Sequence, residues 1–209
     1  PEGRTEDGFE TQFGINHLGH FLLFQLLKPV LLASSTPDYQ SRLIVVASSA
    51  HTYGSVRLHD FNFEKEPYNS WAAYGQSKTA NILFANEAER RYGAQGLHAL
   101  SLHPGFILQT GLSRHLSEEE ATSVAANEAW VKASKTAAQG AATTVYAALS
   151  REWEGRGGKY LSNLVETTPA DPSTAGVPNE PHYFPWAYDS ETEEKLWEAS
   201  CKLVGVSND

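Results

Sequence analysis

Tyr74 and Lys78 stand four apart in the stretch Tyr74-Gly75-Gln76-Ser77-Lys78. On a helix that spacing sets the phenol and the ammonium on one face, a turn apart. A phenol with its ordinary pKa of about 10 is a poor acid or base at neutral pH, and a fixed cation nearby favours the phenolate. Such a pair passes a proton to or from a hydroxyl or carbonyl oxygen. The same spacing also arises by chance on solvated helix faces, so the company it keeps decides its weight. Two other places carry small polar or turn residues straight after an apolar run, Ser48-Ser49 and His103-Pro104-Gly105.

The elements that must position these residues alternate. An apolar helix is predicted over residues 8–32, packed between layers or against a second subunit because Leu18, Phe21, Leu22, Phe24, Leu26, Leu27 and Val30 leave few polar sides. Leu43-Ile44-Val45-Val46-Ala47 reads as a buried parallel strand. Residues 51–70 read as an excursion or hairpin, and 72–92 as a helix ending at Gly93 behind Arg90 and Arg91. A second strand covers 97–102. Residues 111–135 read as a polar, mobile stretch with a capping box at Ser117-Glu118-Glu119-Glu120 that opens a short helix. A helix over 136–149, a short strand at 159–161, a proline-rich loop over 166–185 and a last helix over 190–203, boxed by Ser190 and Glu193, complete the chain. This order predicts an α/β fold with a doubly wound parallel sheet, one domain over 1–209. Ligands bind such sheets at the carboxyl ends of the strands, where both polar turns fall.

Composition narrows the function. The 209 residues are 41% hydrophobic and 20% charged, with a net charge of -9 that argues against nucleic-acid and anionic-membrane surfaces. The apolar run 21–32 is short and carries Gln25, Lys28 and Pro29, so no membrane span is expected. The single cysteine, Cys201, excludes an internal disulfide framework and fits a reducing, cytoplasmic setting; its helical pattern assigns it to packing. His17 and His20 lack a carboxylate or cysteine at ligand spacing, so no metal site is expected. A serine hydrolase using Ser49 fails for want of a Gly-x-Ser-x-Gly elbow.

Phe13-Gly14-Ile15-Asn16-His17-Leu18-Gly19-His20, Ile44 to Ser49, Ala73 to Asn81 and Leu102-His103-Pro104-Gly105 together resemble the short-chain dehydrogenase/reductase family, in its retinol-dehydrogenase-like branch. The resemblance extends over nearly the whole chain and implies a Rossmann-type fold and an NAD(P)-dependent oxidoreductase, NADP slightly ahead of NAD. By it, Tyr74 is the catalytic acid/base. Lys78 lowers its pKa and holds the nicotinamide ribose. Ser49 bonds the substrate oxygen, and Asn16 holds a relay water. Pro104 and Gly105 form the wall beside the nicotinamide; the Ile107 backbone meets the carboxamide, and Thr110 the phosphate side. The implied substrate is a small hydrophobic alcohol or carbonyl compound, lined by 111–135 and 166–185, and the implied assembly is a homodimer.

The family's Thr-Gly-x-x-x-Gly-x-Gly turn and its Asn-Asn-Ala-Gly stretch do not occur in these residues. The chain is therefore expected to be N-terminally truncated, retaining strands five to seven of the family sheet. The strand at 43–47 would then show a bare edge, and residues 1–209 alone would bind dinucleotide weakly and aggregate. The alternative function is an inactive truncated homologue that serves as a dimerisation or binding module.

Overall fold

Three β-branched and leucine-rich runs become β1 (Ser41–Val46), β2 (Leu97–His103) and β3 (Lys159–Ser162), which lie side by side and parallel in that order. β4 (Val165–Glu166) turns back antiparallel on β3. The computed structural model describes residues 2–108, 110, 111, 114, 118–170 and 182–208. Among the described residues β1 is an outer strand, so one of its edges has no strand partner, as the sequence predicts. β5 (Thr168–Pro169) and β6 (His182–Tyr183) form a separate two-stranded parallel sheet.

The helices are α1 (Thr11–Ser34), α2 (Ser70–Tyr92), α3 (Glu118–Ala126), α4 (Glu128–Ala133), α5 (Ala137–Leu149) and α6 (Ser190–Val204). Alternate strand residues point to opposite faces. Val45, Leu97 and Ala99 pack against Phe21 and Phe24 of α1, Phe84 and Tyr92 of α2, and Trp197 of α6. Within that cluster Phe21 meets the Trp197 ring edge-on at 5.0 Å and Phe24 meets Phe84 at 5.4 Å. Leu100, Leu102 and Leu161 pack on the other face, against Ala147 of α5 and Trp153. Helices on both faces of a parallel sheet make the predicted doubly wound α/β arrangement.

Several local expectations change. The first helix is not uniform: residues Gly14–Leu18 form a π-helical turn between two α-helical stretches. Its apolar residues are not buried all round, since Leu23, Leu26 and Val30 are exposed while Phe21 and Phe24 are core. By length and composition alone α1 would reach across a bilayer, but its aromatic face belongs to the core described above. No hairpin forms over 51–70; a 3-10 turn, Ser49–Tyr53, leads into irregular chain. α2 does not end on a left-handed Gly93, which has φ of -57°. The chain tightens through a 3-10 turn, and the left-handed residue is Gly96 at φ 83°. The stretch 111–135 contains α3 and α4, the latter capped by Asn127, whose Oδ1 accepts the Trp130 N–H at 3.2 Å. Ser117 lies outside the described residues. The last helix is capped by Asp189, which accepts from Glu191 and Thr192, and not by a Ser190 box.

Candidate active site

α2 brings Tyr74, Ser77 and Lys78 to the carboxyl end of β1. Asn69 starts the helix, its Oδ1 accepting the Ala72 N–H at 2.9 Å, so the first turn already carries the tyrosine. Close approach is possible because residue 75 is glycine. A Cβ there would lie 2.8 Å from both the Ala50 carbonyl oxygen and the Tyr53 Cβ. The helix therefore rests directly on the serine turn.

Burial raises the Tyr74 pKa above its ordinary value; a hydrogen bond with the Ser48 side chain works against that shift and the neighbouring Tyr53 adds to it. Lys78 stands one turn further along the same helix. Its ammonium sits 5.7 Å from the Tyr74 ring centroid and donates to the Val46 carbonyl at 3.3 Å. Desolvation lowers the Lys78 pKa from 10.5 to about 8. Ser49 is anchored by its backbone N–H, which donates to Nδ1 of His103 at 3.2 Å. Ser48 also caps the turn, accepting the Ala50 N–H at 3.1 Å.

Asn16 stands in the π-helical turn of α1, an irregularity found disproportionately at functional sites. Its amide donates to Ser77 Oγ at 3.0 Å, and Ser77 donates to the Tyr74 carbonyl at 2.8 Å. The Asn16 carbonyl faces Nδ1 of His20 at 3.0 Å. Asn16 therefore reaches the tyrosine turn through Ser77. His17 is a core histidine 2.8 Å from Ser200 Oγ, its pKa lowered to about 3 by burial. Among the described residues no group of three metal-ligating side chains occurs.

Pro104 and Gly105 follow β2 as expected. Gly105 is buried and left-handed at φ 94°, and a Cβ on it would lie 2.5 Å from the Lys135 Cδ. Lys135 bonds Asn163 Oδ1 at 2.6 Å and the Pro104 carbonyl at 3.5 Å; burial lowers its pKa. Ile107 packs against Gly140, where a Cβ would sit 2.7 Å from its Cδ1. Thr110 donates to the Ile107 carbonyl at 3.1 Å. Trp130 meets the Phe106 ring edge-on at 5.0 Å, which makes it at least in part a packing residue. Because His103 joins Ser49 to β2, the serine turn and the Pro104–Gly105 turn share one rim. Tyr74, Lys78, the serine pair and Asn16 cluster at that rim, with Pro104 and Gly105 beside them.

A nicotinamide group suits this rim in part. The partly desolvated Lys78 ammonium suits ribose hydroxyls, while the Lys135 stem covers Gly105 on the side a Cβ would take. No Gly-rich turn of the kind that receives a pyrophosphate exists in the sequence. Sequence reasoning missed Ser77, His51, Lys135 and the anchoring role of His103. For Ser77 the signal was present, since it lies between Tyr74 and Lys78.

No protein-family model matches the chain. It is 49% identical over 208 residues to the short-chain dehydrogenase/reductase prx1 of Penicillium roqueforti, spanning 99% of this chain and 59% of that protein. It is 39% identical over 206 residues to human retinol dehydrogenase 14, spanning 99% of this chain and 55% of the relative. Among solved structures, an uncharacterized protein from Mycobacterium paratuberculosis superimposes with a TM-score of 0.68 at 32% identity, over 100% of this chain and 64% of the other. The chain thus spans less than two thirds of the length of the proteins it matches.

Proposed function

We propose that this chain, a homologue of the short-chain dehydrogenases/reductases over its whole length, carries the proton-transfer half of an NAD(P)-dependent alcohol/carbonyl oxidoreductase site. The observation that carries this reading is the placement of Tyr74, set against the serine turn by the close approach at Gly75, its ring beside Lys78 and its helix turn bonded through Ser77 to Asn16. When bound, the nicotinamide cofactor supplies the hydride. Tyr74 gives its proton to the oxygen on which negative charge develops, or takes the alcohol proton in the reverse direction. Its raised pKa keeps it protonated at neutral pH, as a donor must be.

The two serines divide the work. Ser48 caps the turn, and Ser49 hydrogen-bonds the substrate oxygen. Lys78, positive at neutral pH, supplies the field that stabilises the developing oxyanion and holds the ribose; Pro104, Gly105, Ile107 and Thr110 line the cofactor's side. Asn16 supports a proton path out through the π-helical turn. NADP is favoured over NAD, with a small hydrophobic carbonyl or alcohol as substrate, in a cytoplasmic setting.

A binding-module reading draws support from one observation, the exposed stripe Leu23, Leu26 and Val30 on α1, which suits an interface such as a homodimer. The two readings separate with the full-length gene product and a panel of apolar aldehydes and ketones. Consumption of NADPH or NADH is followed at 25 °C in wild type and Tyr74→Phe. The oxidoreductase reading expects turnover that falls by about a thousandfold in the variant while cofactor binding persists. Turnover unchanged in Tyr74→Phe, or no turnover with any of the panel in folded wild-type protein, removes that reading.

A further inference from the structure

We propose that His51 is the positioning residue that sets the Ser48–Ser49 turn against Tyr74 and ties it to the segment 182–188; its bearing on catalysis rests on the oxidoreductase reading above. The His51 side chain is fully buried in a region the proposed proton transfer does not use. Nε2 lies 3.3 Å from the Phe184 backbone nitrogen. A backbone N–H can only donate, so Nε2 carries the lone pair and the ring hydrogen is on Nδ1. Nδ1 then donates to the Ser48 carbonyl at 2.9 Å, where the His51 backbone N–H also donates at 3.1 Å. The serine turn is gripped twice by one residue.

The grip extends in two more directions. The His51 carbonyl accepts from Trp186 Nε1 at 2.8 Å and from Thr79 Oγ1 at 3.3 Å, so the same residue is fastened to the Tyr74 helix. Its ring stands edge-on to Tyr160 of β3 at 5.1 Å and to Phe184 at 6.3 Å. Burial lowers the ring's pKa to about 4, so the neutral form with one donor and one acceptor persists through the neutral range. His51 thus links the serine turn to the chain that follows β6, on the side expected to line the substrate.

Two isosteric halves of the ring separate these arms. His51→Asn keeps an amide nitrogen near the position of Nδ1 and loses the Phe184 partner. His51→Gln reaches the position of Nε2 and loses the side-chain half of the Ser48 grip, the backbone half remaining. In the full-length protein, assayed with NADPH and the aldehyde panel, His51→Gln should lower kcat about tenfold with KM nearly unchanged. His51→Asn should raise substrate KM about tenfold with kcat nearly unchanged, and His51→Ala should do both. Amide hydrogen exchange at Phe184 should speed up about tenfold or more in His51→Asn and His51→Ala and stay near wild type in His51→Gln. A purely structural histidine would change only the folded fraction. Indistinguishable Asn and Gln variants, or Phe184 exchange unaltered in His51→Asn, would overturn the proposal. If wild-type protein is folded but inert, the oxidoreductase reading and the catalytic part of this one fall, and Phe184 exchange alone still decides whether His51 joins the two segments.

Discussion

The two halves of the candidate site are held in different ways. In the proton-handling half each group is fixed from more than one direction. Tyr74 has Lys78 beside its ring and Ser77 at its carbonyl; the serine turn has His103 at one end and His51 at the other. Gly75 removes any clearance between the helix and that turn. The cofactor wall is built from backbone turns with few side-chain ties: Lys135 to Asn163 and Pro104, Thr110 to Ile107, and the Gly140–Ile107 approach. Proton transfer requires a heavy-atom placement correct to fractions of an ångström, whereas a wall beside a flat ring needs mainly to stay out of its way. The difference in construction follows that difference in tolerance.

The sharpest way to break this contrast is Gly75→Val. A side chain there must push the Ala50 carbonyl or Tyr53 away, and a displacement of about 1 Å at the reacting groups costs about a hundredfold in kcat. The measurement is kcat in the full-length protein with a native far-UV spectrum. A loss under about threefold would mean that the serine turn and α2 are not rigidly matched.

A smaller effect tests Lys78. Its pKa is lowered to about 8, so its positive charge is complete well below that pH and is lost as pH rises through it. Tyr74, raised above 10, keeps its proton over the same range. Carbonyl reduction, measured as kcat/KM, should therefore fall above pH of about 8, and Lys78→Arg should move the break to much higher pH. A break that stays in place in the arginine variant would exclude Lys78 as its source. The smallest effect belongs to the wall. Lys135→Met keeps the aliphatic cover over Gly105 and loses the bond to Asn163, worth about 1 kcal/mol. Cofactor KM should rise about fivefold with kcat unchanged; a larger change in kcat than in KM would place Lys135 in the proton-handling half.

Much of the framework was legible in the sequence. β1 and β2 announce themselves as continuous apolar runs, and α2 by its length and by Arg90 and Arg91 in its last turn. The order of these elements was enough for a parallel sheet wrapped on both faces. What was not legible depends on distance along the chain or on one-residue detail. His51 finds Phe184 133 positions away, and no local pattern encodes such a pair. Nothing in a Ser-Ser pair says which hydroxyl caps the turn that follows; the extended backbone of Ser48 entering the 3-10 turn sets its Oγ on the Ala50 N–H. Gly93 carried the usual stop signal, yet the tighter turn moved the left-handed position to Gly96. Within 111–135 the acidic run from Glu118 announced α3, whereas α4 stayed hidden because so short a helix lacks a hydrophobic period long enough to read.

The π-helical turn at Gly14–Leu18 has a consequence for how this site tolerates changes in chain length. Such a turn is an α-helix with one residue too many, so the residues before and after it are out of phase by about 100° relative to an uninterrupted helix. Deleting a single residue there would let the helix close its regular ladder and would gain local stability. The same deletion would swing Asn16 away from Ser77 while leaving the core seats of Phe21 and Phe24 filled. A chain altered in that way would lose its link to the tyrosine and with it the buried seat of His17, so the extra residue works as a phase-setter between a packing helix and a chemical one.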